Sequence, residues 1–230
     1  MTQQQGIVKG DAQQKLGSAG FIIGAILMTV GSFLLPPSLG VSRWMEEIKQ
    51  VGQQAMLLQS CALLITFGYW GVLVGTAGVY RSITASGAAW ARLGFYFHLM
   101  GTALWTIGMA VGDVGIPAAA ANWLAAPPAS QEAAFSVITA MTGFTRGLFP
   151  MEVIILWLAF IFLGIGMVQS AVYPRWLGWV GLVLGLAGVS LGVVQTFNGL
   201  ESTLALFMVL NVSTILWMVV TGIWVARKAW

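Results

Sequence analysis

The sequence predicts an all-α integral membrane protein of six transmembrane helices with both termini in the cytoplasm. Three observations carry that reading. Hydrophobic residues make up 58% and charged residues 7% of the 230-residue chain, and the mean hydropathy is +0.88, so there is too little polar surface to cover a water-soluble globule. The apolar runs suit helices, because about 20 residues at a 1.5 Å rise cross a hydrocarbon core of roughly 30 Å, and the alternating segments of an outer-membrane barrel are absent. The basic residues gather at the ends of these runs rather than in a patch, so the pI near 9.3 speaks of membrane orientation and not of nucleic acid.

The first span is expected over residues 18–35, ended by Pro36 and Pro37. No small-x-small cleavage site follows it, so residues 1–230 are expected to form one membrane domain. Next, VSRWMEEIKQV places Val41, Trp44, Met45, Ile48 and Val51 on one helical face, with Ser42 as a cap. This predicts a short helix on the outer membrane surface. Spans at 55–80 and 93–112 follow, joined by DVGIPAAAANWLAAPPASQE to the next apolar stretch; this extracytoplasmic connection is expected to hold one helical turn around Trp123. Residues 133–170 as a single helix would measure roughly 57 Å, too long for one crossing and too short for two. The stretch contains GFTRGLFPMEV, whose Gly143, Gly147 and Pro150 disrupt helices. The expectation is therefore an interfacial or re-entrant segment at 133–146 and a span at 150–170. The last spans are expected at 176–197 and 203–226.

Lys9, Lys15, Arg81, Arg92, Arg175, Arg227 and Lys228 fall on one side of this layout, and Arg43, Lys49 and Arg146 on the other. The excess of positive charge marks the cytoplasmic side. Cys61, the single cysteine, allows no intramolecular disulfide and no thiolate metal cluster.

GYWGVLVGTAGV at 68–79 returns nearly unchanged as GWVGLVLGLAGV at 178–189. Spacings of 3, 4 and 3 set Gly68, Gly71, Gly75 and Gly78 along one side of the second span, and Gly178, Gly181, Gly185 and Gly188 along one side of the fifth. Lipid tails are as apolar as leucine, so membrane helices associate through close dispersion contacts, and small residues permit the approach. These stripes are read as packing seams, with Val72 and Val183 turned to lipid. The two copies run in opposite directions through the bilayer, which fits an inverted three-plus-three repeat as well as two independent seams.

At YPRWLGWVGLVLGLAGV, residues 173–189, the chain resembles an uncharacterised family of six-helix bacterial membrane proteins. The resemblance implies the six-span layout and the bacterial inner membrane, and brings no site residues with it.

No HExxH, paired cysteines, P-loop or GxSxG occurs, so neither a metal site nor a catalytic set is read here, and an intramembrane enzyme lacks a nucleophile and base pair. Two places remain. His98, the single histidine, lies within the third span with Gly101, Thr102 and Trp105 nearby, where an imidazole suits either a haem or chlorophyll-type pigment or a hydrogen bond to a neighbouring helix. Arg146 and Glu152 flank Pro150; a break at Gly147 would let them pair as a ligand or gating site, and an unbroken helix would keep them apart. Asn211 and Gln59 are read as cross-helix hydrogen bonders. The leading function is a non-enzymatic integral membrane subunit that packs against other membrane proteins in the lipid bilayer and holds lipid or a pigment. The alternative is a transporter or receptor for a small, mostly apolar molecule bound near Pro150.

Overall fold

The computed structural model describes residues 11–35 and 44–229; the expectations for Lys9, Pro36, Pro37, Val41, Ser42 and Arg43 lie outside the described residues. All regular structure there is helical: α1 (Ala12–Leu34), α2 (Trp44–Gln53), α3 (Ala55–Ser82), α4 (Ala88–Met109), α5 (Ile116–Ala125), α6 (Pro128–Val168), α7 (Arg175–Asn198) and α8 (Leu204–Ala229). Six helical stretches are long and apolar enough to cross a membrane. α1 starts six residues earlier than the hydropathy suggests because Asp11 caps it, its carboxylate accepting from the Gln13 and Gln14 amides at 2.8 and 3.3 Å.

The six long elements close into a ring in chain order, α1–α3–α4–α6–α7–α8, with α8 returning to α1. The strength of the contacts repeats after three steps. α1–α3 and α6–α7 are the most extensive pairs, α4–α6 and α8–α1 are intermediate, and α3–α4 and α7–α8 are the slightest.

Glycine explains the closest of these. On the α1–α3 seam a methyl group at Gly17 would touch the Gly78 backbone, at Gly20 the Gly71 carbonyl, and at Gly24 the Gly68 carbonyl, all within 2.7 Å. Reciprocally, Gly68 faces Met28, Gly71 faces Gly24, and Gly75 faces the ring of Phe21. On the α6–α7 seam Gly178 lies against the Val168 amide, Gly185 against that of Ile161, and Gly188 against the indole of Trp157. Gly181 turns instead to α8, where the Trp217 indole fills the space and donates to the Leu177 carbonyl at 2.8 Å. A third stripe, Gly87 at the cap of α4 and Gly94, Gly101 and Gly108 within it, meets α6; its seven-residue spacing, close to two turns, is visible in the sequence. Val183 is 59% exposed, but Val72 is buried. α1 lies so close to α3 that the valine beside the glycine stripe is covered as well, which corrects its assignment to lipid.

α6 corrects a larger expectation. It runs unbroken for 41 residues, with Pro150 inside it, about 60 Å at 1.5 Å per residue. The interfacial segment at 133–146 is therefore not separate. Proline removes one backbone bond and glycine costs about 1 kcal/mol each in a helix, but one face of α6 is engaged by neighbouring helices across this region. Its C-terminal half packs in the ring. Its N-terminal half joins α2 and α5 in a cap whose small core is Ile48, Ala120, Trp123 and Ile138. The surplus length of the apolar stretch thus goes into the cap and not into a second crossing. α5 replaces the expected single turn around Trp123: Pro117 stands in its first turn, and the alanines at 118–121 favour helix.

At the other end, the turn at 170–174 is pinned to two neighbouring helices. The Tyr173 hydroxyl bonds Ser82 Oγ of α3 at 2.7 Å, and Trp224 of α8 donates to the Val172 carbonyl at 3.3 Å. Burial raises the Tyr173 hydroxyl above its ordinary pKa, partly offset by the Ser82 bond.

Candidate functional site

The ring surrounds a cavity of about 20 Å³ lined from α1, α3, α4, α6 and α8. Its polar lining is Tyr69, His98, Asn211 and Thr214; Met28 and Leu156 are among the apolar side chains around them. A water molecule needs roughly 10–15 Å³ measured this way, together with two to four polar partners. The cavity meets both conditions. A haem or chlorophyll ring does not fit it, since sites for such molecules run to some hundreds of Å³, and His98 is only 1% exposed.

His98 is held by one clear bond, Nδ1 to Thr76 Oγ1 at 2.5 Å. Thr76 also donates to the Val72 carbonyl one turn back, at 3.0 Å. A hydroxyl carries a single proton, so Nδ1–H is the donor to Thr76 and the neutral ring presents Nε2 as an acceptor. Nε2 has no protein partner among the described residues, and neither do the Tyr69 hydroxyl and the Asn211 amide. Asn211 is therefore not the cross-helix glue that its position suggests, whereas Gln59 does bond across helices, donating to the Val114 carbonyl at 3.1 Å.

Glu152 lies toward the cap end of the same interior. Only 3% of it is exposed, and its Oε1 has no hydrogen-bond partner. The carboxyl occupies the space left by the missing side chain of Gly108, where a methyl group would collide with Oε1. Tyr69 and Asp113 are within electrostatic range, and Asp113 sits on a π-helical turn, Ala110–Gly115, that links α4 to α5. Tyr69 stacks on Trp105, with ring centroids 4.4 Å apart, and so connects the central cavity to the surroundings of Glu152. Two further buried polar atoms are unpartnered on α4, Thr102 Oγ1 and Trp105 Nε1.

Arg146 takes no part. Its guanidinium lies over the Trp44 ring of α2, 5.5 Å from the centroid, on the exposed side of α6. Six residues of continuous helix put it about 120° round from Glu152, and no ion pair joins the two. The gating pair is not formed because the break it required is not there.

Sequence reasoning marked His98 and Glu152 but passed over Tyr69 and Asp113. Tyr69 sits within the glycine-striped helix and reads as one more membrane aromatic. The signal that would have found it is its position seven residues before Thr76, which puts both on the face turned to the third span. Among the described residues no group of three or more metal-ligating side chains occurs. Comparison with known protein families, curated proteins and solved structures found no match, so the resemblance at 173–189 assigns no role to any residue of this site.

Proposed function

We propose that the chain is a non-enzymatic subunit of a larger membrane complex that grips another integral membrane protein along the N-terminal half of α6. The observation that carries this reading is an exception to a rule the chain otherwise keeps. Glycines within its described helices stand where a neighbour lies within contact distance, save two: Gly143 and Gly147 face open space. They share an exposed strip of α6 with Val137 and Phe144, each about half exposed. Glycine costs helix stability and in this protein marks close crossings, so a bare pair on an apolar strip suits a partner helix approaching from outside.

In this reading the termini are cytoplasmic, with Lys15, Arg81, Arg92, Arg175, Arg227 and Lys228 at one end of the helices and Lys49 and Arg146 at the other. The cap, α2 included, then lies on the outer face of a bacterial inner membrane. The reading as a transporter or receptor keeps only the central cavity, whose size suits water better than an organic solute.

The test is the native mass of the protein extracted from its own membranes in mild detergent. The wild type is expected in an assembly heavier than one 24.5 kDa chain. The double variant Gly143→Leu/Gly147→Leu is expected at the single-chain mass with an unchanged or higher melting temperature, since leucine improves helix propensity there. Equal masses for the two proteins would remove the reading.

A further inference from the structure

Positions 98, 102, 105 and 108 of α4 are separated by four, three and three residues, which keeps them on one face of the helix, with a rise of about 4.5–6 Å between neighbours. The first three carry His98, Thr102 and Trp105. At the fourth, glycine makes room and the Glu152 carboxyl of α6 takes the place. His98 Nε2, Thr102 Oγ1, Trp105 Nε1 and Glu152 Oε1 all lack a protein partner.

Leaving a buried polar atom unpaired is costly, so the Thr102, Trp105 and Glu152 atoms, in line with Nε2 of the cavity-lining His98, demand an occupant. Water fits the spacing, because two hydrogen bonds of about 2.8 Å reach roughly 5.6 Å. At the His98 end the cavity is already large enough to hold it. At the Glu152 end the helix opens into its π-helical turn, a local widening that recurs at functional sites.

We propose that the seam between α3, α4 and α6 holds a file of internal water that carries protons between Glu152 and His98. The transfer balances within the protein. The O–H bond of the protonated Glu152 carboxyl breaks as its proton passes to the first water, each water hands one proton on, and an N–H bond forms at His98 Nε2, leaving a carboxylate and an imidazolium. Thr76 holds Nδ1–H in place, so Nε2 is the nitrogen that accepts. Asp113, exposed on the π-helical turn, is the group through which protons exchange with the outside.

The ionisable groups within electrostatic range of Glu152 are Tyr69 from α3 and Asp113 from the π-helical turn, while His98 lies about 15 Å farther along α4. α7 carries no ionisable side chain beyond Arg175 at its start, and α8 none before Arg227 and Lys228 at its end. This inference concerns the interior and stands apart from the partner proposed for the N-terminal half of α6.

Infrared difference spectra of the full chain in liposomes, recorded between acidic and alkaline buffer, test it. The wild type is expected to show a protonated-carboxyl C=O band that disappears as pH rises, together with O–H bands that move when the water is labelled with heavy oxygen. Glu152→Gln should lose the carboxyl band. Thr102→Val and His98→Phe should keep it, lose the isotope-sensitive water bands and shift the pH midpoint of the carboxyl. Absence of those water bands in the wild type overturns the proposal, as does a midpoint unmoved by both Thr102→Val and His98→Phe. If Glu152→Gln does not fold, the Thr102→Val spectrum decides alone.

Discussion

Gly188→Leu is expected to lower the stability of the detergent-solubilised protein by about 3 kcal/mol, at the upper end of what overpacking usually costs. A Cβ at this position would fall within the indole of Trp157. That ring is buried, stacks on Phe207 and belongs to the main core, so displacing it disturbs the core around it. Even Gly188→Ala should be clearly destabilising. The control is Val183→Leu, at an exposed position of the same helix, which should change stability by no more than about 0.5 kcal/mol. Thermal melts of the three variants beside the wild type give the answer, and equal melting temperatures would mean that the α6–α7 seam is not a close crossing.

The second expectation is a rescue. Gly75→Leu places its Cβ about 2.5 Å from two atoms of the Phe21 ring, and should cost about 1–3 kcal/mol alone. Phe21→Ala removes a fully buried ring that also meets Trp217 edge-on, with centroids 6.5 Å apart. Such truncations cost about 3–5 kcal/mol in soluble cores. Between apolar helices in lipid the transfer part of that figure shrinks and the cavity part remains, so about 2–3 kcal/mol is expected. In the double variant the leucine enters the volume that the ring vacated. Its cost should fall short of the sum of the two single costs by more than about 1 kcal/mol, within the range seen for residues in contact. Strict additivity would show that the ring and the glycine do not share one space.

The glycine stripes were legible because close approach leaves a mark in the sequence: a small residue at helical spacing has few other reasons to recur in an apolar run. The span positions were legible for a similar reason, since length and hydropathy are local properties. α6 was not. Gly143, Gly147 and Pro150 are breakers by local rules, and only the tertiary contacts of Ile138 with α2 and α5, and of the C-terminal half with α4 and α7, show why the helix continues. Of the two arrangements open to Arg146 and Glu152, the unbroken helix selects the one that keeps them apart. His98 was marked by chemistry alone; its bond to Thr76 joins residues 22 apart in sequence, a relation that no periodicity within one helix reveals. The empty place at Gly108 is legible only in retrospect, as the end of a seven-residue series whose other members meet leucine, alanine or glycine on α6 and whose last meets a carboxylate.

Closure of the ring by α8 against α1 sets the timing of the protein's birth. Helices leave the ribosome in chain order, so α1 and α3 can pair early and α6 and α7 later, each through its own seam. The interior is not sealed until the final helix arrives, bringing Asn211, Thr214 and Met218 to the central cavity. Until then the cavity beside His98 is open on one side of the bundle, where an apolar surrounding is costly for the imidazole. The last 26-residue helix is therefore the element whose docking takes the imidazole out of contact with whatever surrounds the open bundle.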